Sequence, residues 1–227
     1  MLGALIDIGA DVDEIEKTLT ALPIEPFSLK VESVVKKGIT AQQFTVVETE
    51  KRATDHRHYT TIQKMIVEAE KLSQRVKDMS LQIFEPIAKA EAKIHGTTLE
   101  RGHFHEVGAV DSIVDIVGTA LALEQLEIER IIASPVAVGS GTITIDHGTY
   151  PVPAPATLEI LKGIPIEATS VRGELTTPTG AGILKGLVQE FGPLPNIVVE
   201  KIGYGAGKKE LEDRPNVLRV VCGHQSP

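Results

Sequence analysis

The fourteen residues from Gly102 to Asp115 hold two imidazoles and three carboxylates in mostly apolar sequence. Imidazole and carboxylate are donors for borderline metals, and they are also the common proton-transfer groups. If His103 to Val107 is extended, the period of two puts His103 and His105 on one face and Phe104 on the other. Glu106 faces away from them unless the strand ends there. Gly108 permits a sharp turn. Val110 to Leu126 then reads as a helix, and Asp111 and Asp115, four apart, share one face of it.

That helix is apolar nearly all round. Its only ionisable groups are Asp111, Asp115 and Glu124. Such a helix is buried, and a buried carboxylate needs a cation, hydrogen bonds or a metal. One reading has Asp111 capping the helix and Asp115 meeting a buried Arg or Lys. The other makes the pair part of a functional site. The same face continues through Gly118 and Ala122, small enough for another backbone or a ligand to come close.

Further candidates lie outside this run. His56 and His58 share the i, i+2 spacing of His103 and His105, although such a pair alone is a weak metal signal. His147 follows Asp146 at a strand end, where ligand groups gather; a turn Asp and a surface His is the alternative. Thr176, Thr177, Thr179 and Gly180 precede a helix. They offer hydroxyls and free amides to a phosphate, or simply cap the helix. Gly205, Gly207 and Lys208, with Arg214 and Asn216 beyond, could surround an anion or form an ordinary turn. Cys222 sits in an apolar run and reads as a buried strand thiol rather than a metal ligand.

The string HFHEVGAVDSIVDIVG resembles the signature of the nickel-insertion proteins that complete the nickel-pincer nucleotide cofactor of lactate racemase. The resemblance continues through Ala133-Ser134-Pro135, the His147–Thr157 block, the Gly173–Ala181 block, Gly203–Gly207 and Asp213–Arg219. His56-Arg57-His58 matches the family's basic motif. The resemblance implies nickel insertion into a pyridinium bisthiocarboxylate mononucleotide. It implies a nickel–carbon bond and consumption of CTP with Mn or Mg through a further C-terminal domain. Family members usually open with a short strand and a Gly-rich turn before the segment that begins here at Met1. The chain is therefore expected to be an N-terminal portion, working with the C-terminal half as a domain or a separate chain. Under that resemblance His105, Glu106, Asp111 and Asp115 are the catalytic candidates, and His103, His105, His56, His58 and His147 the metal ligands. Thr176, Thr177, Thr179, Gly180, Gly205, Gly207, Lys208, Arg214 and Asn216 are the candidates to hold the mononucleotide.

Two further functions stay open on residue types: a non-catalytic nickel metallochaperone or structural half, and a metal-dependent phosphoesterase. A mononucleotide pocket separates the enzyme from the chaperone.

Composition narrows the field. A formal charge of −8, no Trp and 4% aromatic residues argue against nucleic-acid binding. One cysteine in 227 residues excludes an internal disulfide and suggests the cytoplasm. No membrane span or signal peptide is expected. A homo-oligomer is left open.

The elements that must position these residues follow from periodicity. Leu2–Ile8 and Asp11–Leu22 read as helices. Phe27–Lys37 and Ile39–Glu50 read as an antiparallel hairpin about Lys37-Gly38. Thr60–Ala69 and Leu72–His95 are helical, the second with Pro86 inside and Gly96 closing it. Strands are expected at Arg130–Ser134, Ser140–Asp146, Ile164–Ala168, Ile197–Gly203 and Val217–Cys222. Helices are expected at Pro155–Leu161 and Thr179–Phe191. The fold class is α/β or α+β, a mixed sheet with packed helices. Residues 1–223 form one region with a small hairpin subdomain at 24–58, and 224–227 are a tail.

Overall fold

A computed structural model describes residues 1–49, 57–100, 108–145 and 148–225. The expected strand at His103–Val107 and residues 50–56, with His56, lie outside them.

Helix α1 (Leu2–Asp7) is short and buried through Leu2, Ala4 and Leu5. Asp11 starts α2 (Val12–Leu19), where its side chain accepts from the amides of Asp13 at 3.0 Å and Glu14 at 3.1 Å. Strands β1 (Phe27–Lys36) and β2 (Ile39–Glu48) form the expected antiparallel hairpin. At its turn Lys37 and Gly38 have φ of 44° and 84°, the double positive φ that a tight two-residue hairpin requires. Helix α3 (Tyr59–Glu68) precedes α4 (Gln74–Ile94), which Ser73 caps by accepting from the Val76 amide at 3.2 Å. The apolar helix is α5 (Val110–Gln125).

Short pieces follow: β3 (Ile132–Ala133), β4 (Val136–Ala137), β5 (Gly139–Ser140), β6 (Thr142–Ile145), β7 (Gly148–Pro151), α6 (Pro155–Ile160), β8 (Ile166–Glu167) and β9 (Gly173–Glu174). Helix α7 (Pro178–Leu187), β10 (Glu190–Phe191), β11 (Ile197–Ala206) and β12 (Val217–Gln225) complete the chain.

The principal sheet has the order β1-β2-β11-β12. β2 and β11 run parallel, meeting at Gln42 and Gly205, while both hairpins are antiparallel, so the sheet is mixed. The 27–48 hairpin is thus one half of a sheet that the C-terminal hairpin completes. Helix α1 packs on β2 and β11, and α5 packs behind α1. The core continues between α4, α5 and α7 around Phe84, Ile87, Ile113, Ile116 and Ile183. Among the described residues no helix is long and apolar enough to cross a membrane.

Three expectations change. The helix expected at Thr179–Phe191 stops at Leu187. Gln189 turns to Ile131, donating its amide to the carbonyl at 3.0 Å and accepting the Ile131 amide on its side chain at 2.7 Å. Glu190–Phe191 then pairs parallel with β3. The strand expected at Ser140–Asp146 is cut at Gly141, whose φ is 84°, and its halves pair with different partners, β9 and β7. The segment Tyr204–Ala206, expected to lie in a loop, belongs to β11.

Candidate functional site

Helix α5 carries the candidate carboxylates. Ile113, Val114, Ile116, Val117 and Ala120 are fully buried, which fixes its rotation and decides where each Asp can point. Ala109, not Asp111, occupies the cap position. Asp111 is exposed in the first turn, where its carboxylate accepts the Ser112 amide at 2.8 Å. It still meets the favourable end of the helix dipole.

Asp115 is half-buried one turn further in. Its pKa is pushed up from 3.8 to about 6. Burial is the main cause, and the nearby negative charge of Asp111 adds to it. The amino group of Met1 and the ammonium of Lys208 oppose it. The same burial lowers the pKa of the Met1 amino group, while Asp115 pulls it up. In place of the expected buried Arg or Lys, the cations acting on Asp115 are the Met1 amino group and the exposed Lys208, and they do not offset its desolvation. A carboxyl that titrates near 6 exchanges protons close to neutral pH, as a general base must.

The small residue on this face admits protein. A Cβ on Gly118 would lie 2.8 Å from the Leu2 side chain and 3.7 Å from Ile15 and Leu19. Helices α1 and α2 fill that groove.

Arg57 anchors the other side of the region. Its Nη1 donates to the Gly108 carbonyl at 2.7 Å, and its Nη2 pairs with Glu25. His58 occupies the cap position of α3 and is half-buried, with Nδ1 turned away from solvent. The basic motif is thus tied to the turn that starts α5. This bond spans 51 residues of sequence; Arg57 was visible there only within the basic motif, and Glu25 carried no signal.

His56, His103, His105, Glu106 and His147 lie outside the described residues. Among the described residues, no three His, Cys, Asp or Glu side chains come together as a metal site.

The threonines form a separate group. The Thr176 hydroxyl donates to the Ala137 carbonyl at 2.7 Å. Thr177 caps α7 and accepts the Gly180 amide at 3.2 Å, with Pro178 in the first helical position. Thr179 is in the same turn. Capping by Thr177 thus takes one of the amides that an anion could use.

At the β11–β12 connection, the Gly207 amide donates to the Asn216 carbonyl at 2.9 Å. The Asn216 side chain donates to the Lys209 carbonyl at 2.9 Å. Arg214 forks onto Asp213 at 2.9 and 3.1 Å. Asn216 thus closes the loop on itself and Arg214 is engaged locally. Gly205 lies in the strand against α1. A Cβ there would come within 2.7 Å of the Ala4 nitrogen. Lys208 is exposed, and of this group it is the residue whose charge reaches Asp115. Cys222 is half-buried in β12, packed on the core opposite Lys201, as a strand thiol.

A mixed sheet, a buried helix that raises the pKa of one carboxyl, and a basic motif tied to the start of that helix make up the candidate site. The chain belongs to the nickel insertion protein family, whose description matches residues 1–227. It is 52% identical over 234 residues to the pyridinium-3,5-bisthiocarboxylic acid mononucleotide nickel insertion protein of Geobacillus kaustophilus, covering 100% of this chain and 57% of that relative. Identity to the protein of the same name from Desulfitobacterium hafniense is 49% over 223 residues, 98% of this chain and 54% of the relative. A putative nickel insertion protein of Rhodopirellula baltica is 46% identical over 222 residues, 98% of this chain and 56% of the relative. The chain spans about half the length of these curated relatives. No solved structure matches it.

Proposed function

We propose that this chain takes part in inserting nickel into pyridinium-3,5-bisthiocarboxylic acid mononucleotide, completing the nickel-pincer cofactor of lactate racemase. The observation that carries this reading is near-half identity along the whole chain to proteins of that printed name. Nickel is the substrate ion. The pyridinium carbon must lose a proton as the nickel–carbon bond forms, so the reaction needs a base. Asp115, with its pKa near 6, is the proposed base. Asp111 holds negative charge beside it. His105 and Glu106 are the other proposed proton carriers. His103 and His105, with His56, His58 and His147, are the proposed donors to nickel before insertion. The mononucleotide phosphate is assigned to the exposed Lys208, with Arg214 and Asn216 exchanging their local bonds for it, in the loop that Gly205 and Gly207 lead into. Thr176, Thr177, Thr179 and Gly180 are a second phosphate or carboxylate contact.

CTP with Mn or Mg is assigned to the remaining part of the family's proteins. The proposed chemistry is that of a nickel chelatase of the lyase class, in the cytoplasm. Precursor metallation should be assayed with this chain alone and after adding that remaining part with CTP. Product only in the second case supports the division of labour. Nickel binding without any precursor binding would leave the metallochaperone reading.

A further inference from the structure

Lys36, the last residue of β1, is the most buried lysine or arginine among the described residues, with its side chain 8% exposed. Lys30 and Glu32, on the same face of β1, are exposed and pair with each other at 2.9 Å. A buried ammonium needs an anion. Lys36 finds Glu210, which reaches back from the β11–β12 connection although its own side chain is 72% exposed. The pair is lopsided. Arg57 and Glu25 are both sheltered, at 14% and 21%, as suits a pair that ties segments together. Here the cation is fixed in the sheet and the counter-ion is a wet side chain on a loop. Exchanging Glu210 for another anion moves one exposed side chain and keeps the buried charge neutralised.

The surroundings favour an anion larger than a carboxylate. The two turns at this end of the sheet carry Lys36, Lys37, Lys208, Lys209 and Arg214, in a chain whose formal charge is −8. Gln43 of β2 ties the turns together, donating its side-chain amide to the Gly207 carbonyl at 3.4 Å. Arg214 above all, with Lys37 adding to it, holds the Asp213 carboxyl below its usual pKa, so Lys37 acts on the same loop. Glu210 stands two residues after Lys208. An anion that takes its place on Lys36 therefore lies beside Lys208. A phosphate monoester brings about two negative charges and three acceptor oxygens, enough to serve both ammonium groups at once. Lys208 also acts on Asp115, which connects this corner with the candidate base.

We propose that Lys36 is the buried cation of the mononucleotide phosphate site and that Glu210 is a built-in anion which the phosphate displaces. The inference rests on the assignment of the mononucleotide to this loop. The carboxylate keeps the buried charge neutralised in the empty chain, and it sets a threshold that a neutral nucleoside does not pass.

The test measures binding of the pyridinium bisthiocarboxylate mononucleotide to the full chain by calorimetry. Wild type, Lys36→Met, Glu210→Gln and Glu212→Gln are compared, with the thermal transition recorded on the same samples. Glu212 is exposed on the same loop and controls for a general change of charge. The dephosphorylated nucleoside and inorganic phosphate are the further ligands. Lys36→Met is expected to bind the mononucleotide at least about tenfold more weakly, and Glu210→Gln at least about threefold more tightly. Glu212→Gln should stay within about twofold of wild type, and the nucleoside should bind at least about tenfold more weakly than the mononucleotide. If Lys36→Met does not fold, the comparison of Glu210→Gln with Glu212→Gln decides. Unchanged affinity in Lys36→Met overturns the proposal, as does a Glu210→Gln variant that gains nothing or gains no more than Glu212→Gln. Inorganic phosphate bound as tightly as the mononucleotide also overturns it. Metallation is followed alongside, with the family's remaining part and CTP. Insertion by wild type with an unchanged KM in Lys36→Met overturns the phosphate site and leaves the insertion reading. The expected binding pattern without any insertion upholds the phosphate site and removes the insertion reading.

Discussion

A Cβ on Gly203 would sit 2.4 Å from the carbonyl oxygen of Ala4, so β11 and α1 meet backbone to backbone. The same contact repeats on either side. Gly205 approaches the Ala4 nitrogen, and a Cβ on Gly3 would come within 2.6 Å of the Gln42 carbonyl oxygen. This close seam holds α1 between the sheet and α5. Through it Lys208, just past the end of β11, comes near enough to act on Asp115.

Gly203→Ala is therefore expected to force α1 off the sheet. Overpacking of this kind costs about 1–3 kcal/mol. Urea denaturation should show a lowered midpoint. Gly192→Ala is the control, because nothing lies within 4 Å of a Cβ there, and it should stay within about 0.5 kcal/mol of wild type. Equal stability of the two variants would mean that the seam is slack.

Thr177 separates capping from ligand binding. Its hydroxyl accepts the Gly180 amide, so Thr177→Ala should cost about 1 kcal/mol of stability in thermal unfolding. Thr177→Ser should restore it. If the hydroxyl also serves the mononucleotide, precursor affinity falls in the Ala variant by more than the small change expected from fraying alone. Unchanged precursor affinity leaves Thr177 as a cap and nothing more.

Long elements were readable in the chain because each carries its own periodicity. The alternation in Phe27–Lys36 and the turn at Lys37-Gly38 needed no distant partner to be recognised. The unbroken apolar character of α5 already implied that Asp115 would be desolvated. The two-residue strands were not readable. β3 exists because β10 lies beside it, and neither segment has a pattern of its own. Gly205 misled for a related reason. Glycine is disfavoured in strands, and the close approach of α1 that requires it comes from another part of the chain. The Arg57–Gly108 bond is likewise tertiary. The resemblance drew attention to Arg57 only as part of a basic motif.

Asp115 makes stability depend on pH in a direction opposite to that of a salt-bridged carboxylate. Its pKa is about 6 in the folded chain, against 3.8 ordinarily. Between those values the folded chain keeps a proton that the unfolded chain has released. This contribution to stability is full below the unfolded value and is lost as pH rises through the folded one. Asp115→Asn removes the charge and keeps the shape. It is expected to stabilise the chain at about pH 7.5 by on the order of 2 kcal/mol, and by little at about pH 3.5. Urea midpoints at the two pH values check this. The same variant should abolish precursor metallation if the carboxylate is the base, so stability and activity move in opposite directions. A variant destabilised at neutral pH would show that the Met1 amino group and Lys208 hold the carboxylate more strongly than burial resists it.

Lys208 offers a second handle on the same proton. Its charge lowers the Asp115 pKa, while burial and Asp111 raise it. Lys208→Met removes one cation whose attraction favours the carboxylate, so the Asp115 pKa must rise further above 6. Carboxyl-carbon NMR titration of the Asp side chains reads that shift directly, without nickel or precursor. If Asp115 is the base, the acid limb of the metallation pH profile follows, and the variant needs a higher pH to reach its plateau. A contact between Lys208 and the mononucleotide phosphate adds a separate signature, a raised KM for the precursor at every pH. A moved acid limb with unchanged KM would make Lys208 an electrostatic partner of Asp115 alone. A raised KM with an unmoved limb would make it a phosphate ligand alone. No change in either would remove Lys208 from the site and leave the Met1 amino group as the cation described beside Asp115.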